Sequence, residues 1–573
     1  MNVSTDNINS DNRTKLNRAV YIQSGVAILA FILVIAPLSP ILFQSFLGNP
    51  IYEEIKIFTF ANFEKLLTNA KFYSAMSNSV ILALGTTFIA LVIGISTAVL
   101  LGRTNLPMRR SLGEVVLLPM YVSHLVLAFG WFVMYGPSGY ITLLVKDWFD
   151  VQAWDLYTLL GMSVVAGAAQ APMIHLLCSS SAAAADASLE DAARASGAGP
   201  FTVLWRVTIP LLRPAIIYSG TLTFIGSLEM LSVPLIFGSP VGLDFFTTFL
   251  YIEGLGKAVP DYGMIGAAAV LLLALITVLI ALQGLLLRKS GRFVSIKGKA
   301  TRRKLFDLGP YRWPIAIGIS AYFFFTLIVV LGGVVLRAFT SFLTPLLSPV
   351  ETLTFDNFAL IFEYDAYTRS ITNSLFIAGI GAAIAVVVVT LITVVVHRSR
   401  FKFRKPLEFI ALYPRAVPGI VAGLGFFWGM MIFPILSPLY GTVWILILAF
   451  TMRTIPTAFG AISPMLLQIG KDLDQSARSV GADWWTTTKT IIIPLLKPAI
   501  FGAYVLLFLS FLKEYASAAF LFSPGSEIIG TTMLSFWANG DSGPVAALAV
   551  IQIAITIVFV AIAKKFLGVK VYE

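Results

Sequence analysis

Six charged side chains, Glu229, Arg337, Arg415, Arg453, Lys513 and Glu514, fall within or at the edge of long apolar runs. A charge at mid-membrane costs roughly 2.5–3.5 kcal/mol on insertion scales, so each must meet a partner, a cavity or an interface. Glu229 and Lys513 occupy matching places in two related halves of the chain. With Glu514 and Arg415 they are candidates to border a path for a polar solute. Equally, Glu229 or Glu514 could pair with Lys513 and tie the halves together. Arg415 and Arg453 stand near Pro414 and Pro456, where freed helix carbonyls or the membrane surface would also suit a guanidinium. Conventional catalytic sets are not visible. His124, His175 and His397 are scattered, Cys178 is the single cysteine, and no cysteine metal site follows from it. Whether any residues hold a metal is left open. A phosphate-cradling G-x-x-x-x-G-K-[ST] loop is missing as well, so ATP could act on this chain only through another polypeptide.

A second set of residues is water-soluble and suited to docking. It forms two polar islands, at 181–213 and 464–497. The first contains Ser188, Glu190-Asp191-Ala192-Ala193, Gly197 and Ile209-Pro210; the second contains Asp472, Asp474-Gln475-Ser476-Ala477, Gly481 and Ile493-Pro494. Glu190 to Ile216 maps onto Asp474 to Ile500 at a constant offset of 284. Ser188-x-x-Asp191 and Asp472-x-x-Gln475 suit the first turn of a helix. Gly197 and Gly481 fall where such a helix would end in a left-handed residue. Pro200 suits the start of a second short helix, and Trp484 takes its place in the second copy.

The elements that must position these residues are membrane helices. Of the 573 residues 58% are hydrophobic and only 12% charged, against about a quarter charged in soluble domains. The apolar runs are continuous, which excludes a β-barrel. The expected fold is all-α and polytopic, with spans near 20–45, 74–101, 111–135, 156–179, 214–237, 263–287, 313–339, 371–397, 406–433, 440–463, 498–521 and 543–567. Net charge is +11, but Lys and Arg gather in alternate short loops as orientation signals, so nucleic acid is not the implied partner. That bias places both termini and both islands inside the cell. The polar N-terminus has no apolar signal core and reads as a cytoplasmic tail.

The islands belong to a longer internal repeat. Thr59-Phe60, Asn62, Asn78-Ser79, Arg103 and Pro119 match Thr354-Phe355, Asn357, Asn373-Ser374, Arg398 and Pro414 at an offset of 295. The drop to 284 places the first half's extra residues between its third and fourth spans, in the loop 135–157. The expected organisation is a tail (1–19), a six-span unit (20–290), a basic linker (291–312) and a second unit (313–573) in the same orientation. Such a duplication encloses a central path.

At the islands the chain resembles the permease subunits of binding-protein-dependent ABC importers, whose loop reads Glu-Ala-Ala-x-x-x-Gly followed by Ile-x-Leu-Pro. Asp191-Ala192-Ala193-x-x-x-Gly197 matches with Asp for Glu, and Gln475-Ser476-Ala477-x-x-x-Gly481 matches less closely. The resemblance implies a type I importer permease fold, in which Glu190 to Gly197 and Asp474 to Gly481 dock on an ATPase. It implies two copies of a cytoplasmic ATPase subunit holding ATP-Mg, no cofactor or enzyme activity in this chain, and a periplasmic or extracellular solute-binding protein. It also implies a bacterial inner membrane. Tyr413-Pro414-Arg415-Ala-Val-Pro418-Gly419, Lys513-Glu514 and Ser227-Leu-Glu229 look like the ferric-iron subgroup. That subgroup also takes in carriers of phosphonates, sugar phosphates, polyamines and thiamine. An ion-coupled secondary transporter is the rival class; the basic loop Gly102 to Arg110 lacks the acidic partner such carriers commonly show there.

Overall fold

The computed structural model describes residues 3–184, 188–288 and 305–566. Most of the expected linker, residues 185–187 of the first island and the basic residues Arg13, Lys15 and Lys570 lie outside the described backbone or side chains. Among the described residues all regular structure is helical, because a segment in lipid must pair every N–H and C=O within itself. Ten helices are long and apolar enough to cross a membrane, or up to 13 if each of three bent pairs counts as a span.

The interruptions matter more than the count. The expected span 406–433 bends by 112° between Arg404–Ala416 and Gly419–Ile432, at Pro418. Its counterpart 111–135 breaks into Arg109–Leu117, a tight turn at Leu118–Tyr121 and His124–Tyr135. In each, a proline inside the tight turn (Pro119 or Pro414) withholds an amide and disfavours the helical conformation before it. The fifth spans also end early. Arg213–Leu228 is 16 residues, or about 24 Å of helix, and stops at Glu229; Ile493–Lys513 stops at Glu514 in an extended conformation. After each, a short helix re-enters the bundle, Phe246–Tyr251 in the first half and Ile529–Ala538 in the second. Irregular backbone of this kind is tolerated in a membrane only where protein or a cavity shields it. Asn78 and Ser79 do this in the first half, holding the carbonyl of Asp244 (3.0 Å) and the amide of Phe246 (2.8 Å). Asn373 and Ser374 repeat the device on Glu527 and Ile529, both at 2.9 Å. The first half's extra length forms the helix Tyr140–Phe149.

Each half lends its first helix to the other. Arg18–Ser45 of the first half packs on Gly419–Ile432 of the second, and Val329–Ala338 of the second packs on His124–Tyr135 of the first. The crossing points are the repeat-matched Gly130 and Gly425. A Cβ at Gly130 would lie 2.8 Å from the carbonyl oxygen of Val330, and one at Gly425 2.3 Å from that of Pro37. Small residues let membrane helices approach closely where hydrophobic sorting offers no help. Replacing Gly130 or Gly425 by Leu should therefore cost about 1–3 kcal/mol through overpacking and lower the melting temperature of the detergent-purified protein. Gly284→Leu, where a Cβ meets open space, should leave it unchanged.

Candidate functional site

Each island's short helix ends as its glycine register dictates. In the first, the helix Ser188–Ala195 closes with the amide of Ala198 on the carbonyl of Ala193 (3.0 Å) and that of Gly197 on Arg194 (2.9 Å). In the second, Asp472–Ser479 closes with Ala482 on Ala477 and Gly481 on Arg478, both 3.0 Å. Gly197 and Gly481 both sit at φ +85°, the left-handed residue that such a double bond needs. Asp472 is the first residue of its helix rather than the cap, which falls on Lys471 without a side-chain bond. Both islands then widen into a π-type turn, at Leu204–Thr208 and Thr488–Ile492, just before Pro210 and Pro494.

The islands are fixed to the membrane helices by one interaction, made twice. Glu190 is buried: it accepts from the hydroxyl of Thr208 at 2.8 Å and pairs with Arg103 at 3.4 Å, both side chains of the ion pair being 4% exposed. Arg103 ends the second span and donates also to the carbonyl of Ala182, near the end of the fourth, at 2.7 Å. In the second half Arg398 pairs with Asp474 at 3.0 Å and donates to the carbonyls of Leu466 (2.6 Å) and Ile469. A guanidinium suits this role because its planar fork offers several donors at once. In sequence, Arg103 and Arg398 register only as repeat markers and orientation signals; the shared signal, an arginine and an acid both kept in register across the repeat, could have linked them.

The other island residues point outward. Asp191, Ala192, Gly197, Gln475, Ser476 and Gly481 are exposed, Ala193 is half-buried and Ala477 is buried. The matched Leu189 and Leu473 are exposed at 48% and 42%, large for leucines on a polar helix. Phe201 and Trp205 stack in the open beside the first island. Each island thus presents a small polar and apolar face backed by a buried arginine anchor.

The charged centre lies where the fifth spans end. Arg453 bridges the halves, reaching Glu514 at 2.8 Å and Glu229 at 3.3 Å. Glu514 is held further by the amide (3.0 Å) and hydroxyl (3.2 Å) of Ser517. Glu229 also accepts from the amide of Gly419, so a first-half carboxylate caps a second-half helix at its positive end. A Cβ at Gly419 would lie 2.5 Å from the Arg453 guanidinium, which explains the glycine. Lys513 does not take up either carboxylate as the sequence suggested; it donates to the carbonyl of Met120 in the other half. Arg415 donates to the hydroxyl of Tyr218 at 2.8 Å, again across the halves. The structure therefore brings Glu229, Glu514 and Arg453 together and sets Lys513 and Arg415 apart from them. Among the described residues no three His, Cys, Asp or Glu side chains gather as a metal site. His175 meets the hydroxyl of Thr97 at 3.0 Å, an ordinary bundle contact.

A family model described as "Binding-protein-dependent transport system inner membrane component" matches residues 90–292 and again 387–567. FbpB 1 of Haemophilus influenzae, which carries a ferric transport permease name, is 27% identical over 81% of this chain and 72% of its own length. The ferric transport system permease protein FbpB of Actinobacillus pleuropneumoniae is 28% identical over 77% of this chain, and the match takes in 64% of that relative. An ABC transporter permease of Sinorhizobium fredii, y4fN, is 23% identical over 95% of both chains. Among solved structures, a bacterial ABC transporter that imports alginate overlaps 45% of this chain at 16% identity with a TM-score of 0.36.

Removing one member of a buried ion pair costs about 3–5 kcal/mol. Arg103→Ala should accordingly raise hydrogen exchange across residues 188–195 toward that of a frayed helix. Asp191→Ala, which alters an exposed side chain, should leave exchange and melting temperature unchanged.

Proposed function

The chain belongs to the family of binding-protein-dependent transport system inner membrane components, and from that premise we propose that it moves ferric iron into the cytoplasm by alternating access. Membership makes it a multi-pass permease of an ABC importer. The rest of the reading adds two ATPase subunits gripping the islands, a solute-binding protein on the opposite face, and both termini in the cytoplasm with the basic loops.

The observation that carries this reading is the duplicated island with its buried arginine anchor. Force applied to a loose loop would be absorbed by the loop. Here a push on Ser188–Ala195 reaches Arg103 at the end of one span and Ala182 near the end of another through Glu190. Arg398 does the same for Asp472–Ser479. Two ATPase subunits closing on one another would drive both anchors, and with them the two interlocked halves. The Arg453 bridge then marks where the halves separate or re-form contact, since Glu229 comes from one half and Arg453 with Glu514 from the other.

Iron is supported by the ferric permeases among the relatives. Ferric iron is a hard cation that prefers carboxylate oxygens, and Glu229 and Glu514 are the carboxylates at the centre. Arg453 keeps them from forming a tight cage, which suits brief passage behind an external protein that does the selecting. A second reading, a phosphonate, draws on PhnV of Salmonella typhimurium, a permease protein named for 2-aminoethylphosphonate and 26% identical over 34% of this chain. The cations Arg453, Arg415 and Lys513 would suit such an anion. Of the matched ends Phe237 to Pro240 and Leu521 to Gly525, Phe237 and Leu521 are buried, so Pro240 and Phe522, Pro524 and Gly525 are what a binding protein would meet.

Reconstitution with the ATPase and binding protein tests the proposal. Gly197→Pro combined with Gly481→Pro, which removes both left-handed turns and their amide bonds, should abolish ATP-dependent uptake of radiolabelled iron while membrane insertion stays normal; uptake at the wild-type rate would refute the role of the islands. Glu229→Gln should change iron uptake or basal ATPase rate by tenfold or more. If the binding protein delivers a phosphonate and not iron, the second reading holds.

A further inference from the structure

The repeat exposes a position that is filled in the first half and open in the second. Where the chain returns from the linker, it lies along the end of the second span: the amide of Phe306 donates to Arg103 at 2.9 Å, and that of Asn105 to Phe306 at 3.0 Å. The amides of Gly309 and Asn105 hold the Asp307 carboxyl below its ordinary range and fasten the turn that follows. The Phe306 ring is buried, with the guanidinium of Arg194 at 4.0 Å from its centre. Leu106, Leu112, Ala316 and Phe323, from the segments that flank this contact, form a small buried apolar cluster.

In the second half the indole of Trp484 takes the matching carbonyl of Arg398 at 3.0 Å. Among the described residues no ring stands over Arg478, the repeat partner of Arg194. Instead a cavity of about 660 Å³ opens beside it. Through Ser24, Phe401 and Phe403 it joins a second cavity of about 400 Å³. The first cavity carries exposed Arg400, Lys402 and Arg478. Of its lining residues only Asp483 is acidic, and its carboxylate already accepts from the Thr486 amide at 2.8 Å. The second is almost wholly apolar, running between Ile28 and Phe31 of the first helix and Leu407 and Ile410 of Arg404–Leu412.

We propose that this groove binds one anionic phospholipid, its phosphate on Arg400, Lys402 and Arg478 and an acyl chain along Phe31 and Ile410. A cationic head continuous with an apolar tail, at the end of membrane helices, complements an anionic lipid at both ends. A soluble anion would use only the head. The bound lipid does for the second island what Phe306 does for the first: it packs beside the arginine that closes the short helix, so lipid composition sets how firmly that island is held. This proposal rests on the chain lying in a membrane and not on the identity of the solute.

Native mass spectrometry of the full chain, titrated with phosphatidylglycerol, phosphatidylcholine or inorganic phosphate, tests it. One phosphatidylglycerol should remain bound per chain where phosphatidylcholine does not. Arg400→Ser with Lys402→Ser should weaken retention roughly tenfold or more. Ser24→Phe, which places a ring in the groove and leaves the cations intact, should also remove it, with melting temperatures confirming that both variants fold. The proposal is overturned if both lipids are retained equally, if neither variant lowers retention, or if inorganic phosphate displaces phosphatidylglycerol, which would make the head a free-phosphate site.

Discussion

A buried guanidinium holding a carboxylate is the contact on which the cytoplasmic face depends. Stripping water from two opposite charges is costly, and only good geometry with further hydrogen bonds offsets it. Both copies meet that condition by the same means: Arg103 and Arg398 divide their donors between an acid of the short helix and carbonyls close to where the fourth span ends. The pair therefore adds little as a source of stability and much as a source of direction. The short helix can take only one orientation relative to the two spans, because any other leaves a charge unpaired out of water.

The charged centre follows a different logic. The fold repeats but the charges do not: Glu229 matches Lys513, Met120 matches Arg415, and Gly419 matches His124. At the first of these pairs each charge agrees with its local dipole. A carboxylate sits where the helix Gly419–Ile432 begins, and an ammonium sits against the carbonyl of the tight turn Leu118–Tyr121. The halves are thereby made complementary instead of identical. A symmetric pair of carboxylates or ammoniums facing one another across the axis would repel.

Much of this was readable from the chain. Apolar run length exposed the helices, and the twofold register of Gly197 with Gly481 exposed the islands and their left-handed ends. The breaks were harder. Hydropathy across 406–433 or 214–237 is continuous, since the residues around Pro418 and Glu229 remain apolar whether or not the backbone turns; prolines permit the first break, and tertiary packing decides how far the chain bends. Glu190 was legible as part of an island but not as its inward anchor, because an acid on a polar helix ordinarily faces water. Arg453 was seen as one charge among several. Its partners lie 61 and 224 residues away, and no local pattern announces a contact at such separation.

The exchanged opening helices have a consequence for how the chain came to be one chain. Because Arg18–Ser45 packs on Gly419–Ile432 of the far half as well as on Tyr262–Arg288 of its own, and Val329–Ala338 on His124–Tyr135 as well as on Ser542–Phe566, the two units are clasped, and the peptide that joins them is not what keeps them together. Two separate polypeptides with the same surfaces would interlock equally well. Fusion, seen this way, settles the stoichiometry and the pairing: it guarantees that the half bearing Glu229 always meets the half bearing Arg453, and that two copies of the same half never compete for the place.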